Sequence, residues 1–293
     1  MANPDTWGLR RGDSLTPELT AIKLLGGGSA YEAYLCFDDT TYAPVVVKVV
    51  RPNQVTDKST LRGLRREVQA LDDVNHPVVV RGLRHDLEAE RPHVVLEQID
   101  GPRLSSLIRR HGALQQQQYL PLAIEIASAI HYFGHIGYVH LDIKPSNIIM
   151  GAPCRLIDLS VARTADRAAA LTNPIGTDAY MAPEQCDPLG TGTPGWASDV
   201  WGLGSTLFHA VSGYRPFDRG EVAAENVRER FPQLVNPPHD LPHGVPPVVA
   251  KMILAALAFE PADRPTAREF AESLEPVLAA QPTPKLGGLR MIR

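Results

Sequence analysis

The chain has 293 residues, of which 44% are hydrophobic and 21% charged, and its formal net charge is −4 with the basic residues scattered along it. That length suits one large domain or two packed lobes; the balance excludes a disordered or fibrous chain and leaves no electrostatic footprint for nucleic acid or anionic lipid. Cys36, Cys154 and Cys186 are too few and too widely spaced for a disulfide framework or a tetrahedral zinc site. No apolar run approaches the roughly 20 residues that span a bilayer. The expectation is a cytoplasmic protein with buried thiols and neither membrane nor nucleic-acid partners.

In chain order, residues 1–18 read as an N-terminal extension without an apolar signal segment. Residues 19–96 alternate short strand-like runs, Thr20 to Leu25, Tyr31 to Phe37, Val45 to Val50 and His93 to Leu96, around one helical stretch at Leu61 to Leu71. Residues 97–101 form a hinge, because Gly101 and Pro102 after Asp100 break both strand and helix. From 102 to 280 the period becomes helical, with apolar-faced segments at Tyr119 to Gly134, Ala197 to Ser212, Pro246 to Phe259 and Thr266 to Ala279. The glutamines 115–118 read as the solvated start of the first of these. The proline-rich stretch 231–247 reads as loop and 281–293 as a frayed tail. The expected fold class is α+β, a small β-rich lobe with one main helix followed by a larger, mainly helical lobe.

Several polar residues stand in surroundings that make them informative. Gly26, Gly27 and Gly28 sit between two strands, either as an ordinary glycine-rich hairpin or as a turn whose N–H groups approach an anion. Lys48 lies in the apolar strand Val45 to Val50, where an inward cation needs an opposite charge; Glu67 on the following helix can supply it, although a solvent-facing lysine fits too. In Tyr138-Val139-His140-Leu141-Asp142-Ile143-Lys144-Pro145-Ser146-Asn147 and Leu156-Ile157-Asp158-Leu159-Ser160, polar groups are embedded in apolar sequence. Asp142 can accept or orient a hydroxyl proton, Asn147 and Asp158 offer the hard oxygens that magnesium prefers, and Lys144 could neutralise a migrating phosphoryl group. His131 and His135 have zinc spacing but no third ligand nearby, so they read as core or surface histidines.

These two stretches together resemble the catalytic loop H-x-D-x-K-x-x-N and the D-F-G segment of protein kinases. The remaining features then fall in that family's order: glycine loop, strand lysine, helix glutamate, hinge, catalytic loop, metal aspartate. Ala182-Pro183-Glu184 matches the A-P-E segment, Ser198 to Gly204 resembles the helix that supports the catalytic loop, and Arg264 looks like the partner of Glu184. The resemblance runs from about Leu19 to Ala280 and is nearest to the bacterial, eukaryotic-like (Hanks-type) serine/threonine kinases. It implies a bilobal kinase fold and transfer of the γ-phosphoryl group of MgATP, with Mn2+ as the alternative metal, to Ser/Thr hydroxyls of proteins. It implies catalytic roles for Lys48, Glu67, Asp142 and Lys144, metal ligation by Asn147 and Asp158, and adenine held by backbone groups of Glu97 and Ile99. Leu96 would stand behind the base as gatekeeper, with Leu25, Ala33, Val46 and Ile157 as apolar walls and Gly26 to Gly28 over the phosphates. Lys144 and Thr177 favour Ser/Thr over tyrosine.

The sequence also departs from the pattern. Tyr31 replaces the third glycine of the loop and Ala33 the usual valine; Leu141 stands where many kinases carry the arginine that receives a phosphorylated activation-loop residue; Ser160 replaces the glycine of D-F-G. Two alternatives therefore stay open: a nucleotide-binding pseudokinase scaffold, and a small-molecule phosphotransferase of kinase-like fold. Against the latter, Lys144 and the segment from Gly176 to Glu184 would have no role there.

Overall fold

The structure, a computed structural model, describes residues 5–281, so Met1 to Pro4 and the expected tail beyond Gln281 lie outside the described residues. The first lobe is built on a six-stranded antiparallel sheet of β1 (Ser14–Thr16), β2 (Leu19–Gly27), β3 (Tyr31–Asp38), β4 (Ala43–Val50), β5 (Gly82–Asp86) and β6 (His93–Glu97), in the order β1-β2-β3-β4-β6-β5. Helix α1 (Lys58–Asp73), capped by Asp57 through the N–H of Thr60, covers one face. Because strand side chains alternate between faces, β4 divides its residues. Val45, Val47 and Val49 pack with Tyr34, Cys36 and Val95 on the outer face, while Val50 packs with Leu64 and Val68 of α1. Lys48, two residues before Val50, is thereby turned toward α1.

The sheet begins upstream of Leu19. β1 pairs with β2, the Trp7 indole donates to the Val50 carbonyl, and Trp7 and Leu9 pack on the outer apolar cluster, so residues 5–18 are joined to the lobe rather than a bare extension. β5 also lay outside the sequence pattern. Its residues are Gly-Leu-Arg-His-Asp on the sheet edge, and four of the five are exposed, so no apolar alternation betrays it.

At the hinge, Gly101 has φ 136°, and a Cβ there would run into the Met150 carbonyl oxygen. Glycine is therefore required where the chain crosses the start of the second lobe. That lobe contains α2 (Leu104–His111), α3 (Gln116–His135), the short strands β7 (Tyr138–Val139), β8 (Ile148–Ile149), β9 (Arg155–Leu156) and β10 (Arg163–Thr164), then α4 (Ala165–Ala169), α5 (Pro183–Cys186), α6 (Trp196–Ser212), α7 (Val227–Arg230), α8 (Pro247–Ala256) and α9 (Ala267–Ala279). At the start of α3 the Gln115 N–H donates to the Gln118 side-chain oxygen at 3.0 Å. Helix α6 is buried on nearly every side and packs against α3 and α8. A helix apolar all round belongs inside a lobe, and α6 forms the centre on which the catalytic loop rests. The apolar core is continuous through both lobes: Val94 and Leu96 of the sheet join Leu120, Ile126, Trp201 and Phe208 in one cluster.

Candidate active site

Two side-chain groups meet between the lobes. In the first, the Lys48 ammonium donates to both carboxylate oxygens of Glu67, at 2.9 and 2.7 Å, and to Asp158 Oδ1 at 3.1 Å. Burial alone would lower the Lys48 pKa, but the adjacent carboxylates of Glu67 and Asp158 outweigh it and the net shift is upward, so the ammonium stays charged. Burial likewise acts to raise the Asp158 pKa, yet Lys48 and the hydrogen bonds from Ser160 pull it well below the usual carboxylate range. Among the described residues, the charged, half-exposed Asp158 is also one of three non-glycine residues with positive φ, at 69°. Such a backbone costs about 1–3 kcal/mol and persists where the surroundings over-determine it.

The second group fixes Asp142. Its Oδ1 accepts from the Thr177 hydroxyl at 2.7 Å, and its Oδ2 accepts from Lys144 Nζ at 2.6 Å and Asn147 Nδ2 at 3.0 Å. Lys144 Nζ also donates to Thr177 Oγ1, closing a triangle, and Asn147 Nδ2 donates to the Asp142 carbonyl. With its amide nitrogen engaged on Asp142, Asn147 has its amide oxygen left as the donor atom for a cation. The groups are joined through the backbone, since Ile157 N–H donates to the Asn147 carbonyl.

The catalytic-loop backbone is anchored from beneath by Asp199 of α6, whose carboxylate accepts the N–H groups of His140 and Leu141, both at 2.7 Å. Burial pushes the Asp199 carboxyl up to about 7 against the opposing pull of those donors. Leu141 has φ 64°, and the Asp199 contact holds it there. Gln185 of α5 adds a brace, donating to the carbonyls of Leu141 and Ile175. Glu184 and Arg264 form a fully buried pair at 2.6 and 2.9 Å, and Ser198 Oγ also donates to Glu184. Sequence reasoning pointed to that pair but passed over Asp199 and Gln185 as individual residues; a carboxylate inside an otherwise apolar helix was the available signal for Asp199.

The other expected site residues line the cleft edges. Gly26 and Gly27 end β2, Gly26 has φ 141°, and the Gly28 N–H donates to the Tyr31 carbonyl. Ala33 pairs with Lys48 and Val46 with Leu96, which is buried. Val46, Ile99 and Ile157 are half-buried against the main core, whereas Leu25 is 43% exposed and stands at the rim. The Glu97 N–H donates to the Arg81 carbonyl, and its side chain pairs with Arg81 at 3.1 Å.

Tyr31, in place of a loop glycine, projects under the hairpin. Its hydroxyl donates to the Thr60 carbonyl of α1 at 2.8 Å, and the Lys48 ammonium lies 4.9 Å from its ring centroid. A Cβ on Gly63 would come within 2.9 Å of that hydroxyl, so a glycine one turn along α1 leaves the room it occupies. Among the described residues no three His, Cys, Asp or Glu side chains converge as a metal cage. One aspartate and one asparagine, both oxygen donors, fit a hard divalent cation that completes its shell with phosphate oxygens and water.

Comparison with known proteins agrees with this arrangement. The family model for the protein kinase domain matches residues 19–274. The chain is 34% identical over 265 residues to serine/threonine-protein kinase PknK of Mycobacterium tuberculosis, covering 87% of the chain and 23% of that protein. It is 30% identical over 272 residues to serine/threonine-protein kinase PknB of Mycobacterium leprae, covering 88% and 43%. It is 32% identical over 256 residues to a probable serine/threonine-protein kinase, PkwA, of Thermomonospora curvata, covering 86% and 33%. The chain thus spans less than half the length of these relatives. With a lysine–glutamate pair, a braced catalytic-loop aspartate and a family match over most of its length, the chain belongs to the protein kinase family, in its bacterial serine/threonine branch.

Proposed function

We propose that this chain transfers the γ-phosphoryl group of MgATP to serine and threonine hydroxyls of other proteins. The observation that carries the reading is the fixed Asp142 carboxylate, held on both oxygens by Thr177, Lys144 and Asn147 and joined to the Lys48–Glu67–Asp158 cluster. Adenine lies against the hinge, where the Glu97 carbonyl and the Ile99 N–H hold its edge, Leu96 closes the rear, and Leu25, Ala33, Val46 and Ile157 flank it. Gly26 to Gly28 let the backbone come close to the phosphates, and Lys48, oriented by Glu67, presents its ammonium to their oxygens.

Asn147 Oδ1 and the Asp158 carboxylate would hold magnesium, and the same oxygen set accepts manganese. When bound, the metal neutralises charge gathering on the transferring group. Asp142 aligns the substrate hydroxyl and takes its proton, and Lys144 steadies the negative charge beside it. The Thr177 hydroxyl, bonded to Asp142, fits a site for aliphatic hydroxyls and supports the Ser/Thr preference. We place the protein in the cytoplasm, on the strength of three buried, unpaired thiols. Among the described residues no helix is long and apolar enough to cross a membrane.

A scaffold that binds nucleotide without transfer is favoured by one observation, the Tyr31 ring beside Lys48. The deciding experiment supplies magnesium and γ-labelled ATP with one acidic and one basic acceptor protein, beside Lys48→Met and Asp142→Asn. Label on serine or threonine, lowered roughly 10²–10⁴-fold in Asp142→Asn while nucleotide still binds, is the expected result. Absence of label from a wild-type chain that binds ATP overturns the enzyme reading, and full turnover in Asp142→Asn overturns the role of that residue.

A further inference from the structure

Beside Thr177 opens a cavity of about 460 Å³, lined in part by Gly176, Asp178, Arg215, Asp218, Arg219 and Arg230. Its charge is not balanced. Arg230 is committed to Asp178, through Nε at 3.0 Å and Nη2 at 3.2 Å, and Gln233 pins the same segment by donating to the Asp178 carbonyl. Asp218 lies 3.3 Å from His239 Nε2, a contact that offsets its charge only when the imidazole is protonated. Three arginines thus stand against two aspartates in the lining, and Arg215 and Arg219 are exposed with no ion-pair partner among the described residues. Arg215 rests beside the Tyr180 side chain, its guanidinium carbon 5.9 Å from the ring centroid.

The cavity's position gives this charge a consequence. Thr177, on its wall, is hydrogen-bonded at 2.7 Å to the Asp142 carboxylate where the acceptor hydroxyl must sit. An extended chain advances about 3.3 Å per residue, so a peptide with its hydroxyl at Asp142 reaches the cavity within one to three residues. Guanidinium groups recognise carboxylate and phosphate through forked donors, and two without an ion-pair partner over a partly enclosed site disfavour a basic neighbour as much as they favour an acidic one.

We propose that Arg215 and Arg219 select acceptor sites with an anionic side chain, aspartate, glutamate or a phosphorylated residue, within three residues of the modified serine or threonine. This rests on the kinase reading above and names its substrate class.

The test uses heat-denatured, dephosphorylated bacterial lysate proteins as acceptors, with mapping of every site labelled by wild type and by Arg215→Glu/Arg219→Glu. The best site is then remade as peptides carrying Asp, phosphoserine, Ala or Lys at the neighbouring position. Acidic residues should be enriched around wild-type sites, with kcat/KM for the Asp or phosphoserine peptide roughly three- to tenfold above that for Ala. That preference should shrink as salt rises, and the double variant should reverse it toward Lys. Preference for phosphoserine alone would assign a phosphate ligand, and preference for both a carboxylate-sized one. Labelled sites with no acidic enrichment, or the same enrichment in the double variant, overturn the inference and leave the kinase reading standing. No labelled site on any protein overturns the kinase reading itself.

Discussion

Leu141 lets the origin of activation-segment order be tested directly. Where an arginine would wait for a phosphate, its side chain is 2% exposed in a cluster with Val139 and Ala168, flanked by Val161, Ala165, Leu171 and Ile175. Five of these six neighbours lie in the segment between Leu159 and Pro183, so apolar contact does the holding. Truncating a buried leucine to alanine costs about 2–5 kcal/mol, and a small cluster with half-exposed members can relax, which favours the lower end, about 2–3 kcal/mol. Lost locally, that energy loosens the segment leading to Thr177. At about 1.4 kcal/mol per tenfold it allows a fall in kcat on the order of 30- to 150-fold for Leu141→Ala. Thr164→Ala/Thr172→Ala should stay within about twofold of wild type, since no phosphate is needed. The assay is steady-state turnover on one acceptor, with hydrogen exchange over residues 159–175. A tenfold loss in the double threonine variant would refute the reasoning. It would hand the holding role to a phosphate received by Arg163, whose pKa is lowered to about 10 by burial and then by the neighbouring charges of Arg66 and Arg167.

Arg264→Met should cost about 3–5 kcal/mol in denaturant unfolding, because it strands the fully buried Glu184 carboxylate with only Ser198 as donor; a loss below about 1 kcal/mol would contradict the burial of that pair. Gly63→Ala, which elsewhere inside a helix gains about 1 kcal/mol, should gain nothing in wild type but recover its gain beside Tyr31→Phe. Zero coupling in that double-mutant cycle would remove the Tyr31 hydroxyl from its place against α1. Burial pulls the imidazoles of His140 and His209 down to about 4, whereas the unfolded chain protonates near 6.5. Their contribution is therefore whole above pH 6.5 and declines as pH falls toward 4, by about 1.4 kcal/mol per unit for each histidine, while the buried Asp199 carboxyl, held up to about 7, acts in the opposite direction over the same window. Between pH 7.5 and 5.5, His209→Gln should lessen the acid loss seen in urea unfolding by about 1.4 kcal/mol relative to wild type, and an unchanged pH dependence would show that His209 is not held neutral.

The proposed site residues, from Asp142 through Lys144 and Asn147 to Asp158, stood out because the chemistry proposed for them demands given residue types at short, ordered spacings. The strands β3 and β4 were legible because both lie inside the sheet and are mostly apolar, broken by Glu32 in one and Lys48 in the other. Edge strand β5 and the three-residue β1 escaped because an edge needs no apolar face, and α2, with eight residues, shows barely two turns of its period. Asp199 escaped for a different reason. It serves loop N–H groups 58 and 59 residues away, and no local spacing encodes that distance.

The departures from the family pattern show the same limit from the other side, since a sequence reveals what a substitution removes before it reveals what it adds. Replacing a loop glycine by Tyr31 reads as lost flexibility, but the hydroxyl reaches Thr60 and ties the glycine hairpin to the helix that carries Glu67. Replacing an arginine by Leu141 reads as a lost phosphate receptor, but the leucine closes an apolar cluster that an arginine could enter only by burying its charge. Replacing glycine by Ser160 reads as lost mobility, but its hydrogen bonds are among the forces that keep Asp158 ionised beside Lys48. In each case the new side chain makes a contact unavailable to the residue type it replaces, and each contact bears on Glu67, Asp158 or the segment that delivers Thr177. On the proposed function these are the groups that must be in register for transfer, so the three substitutions favour an arrangement held by packing and hydrogen bonds rather than one assembled by modification.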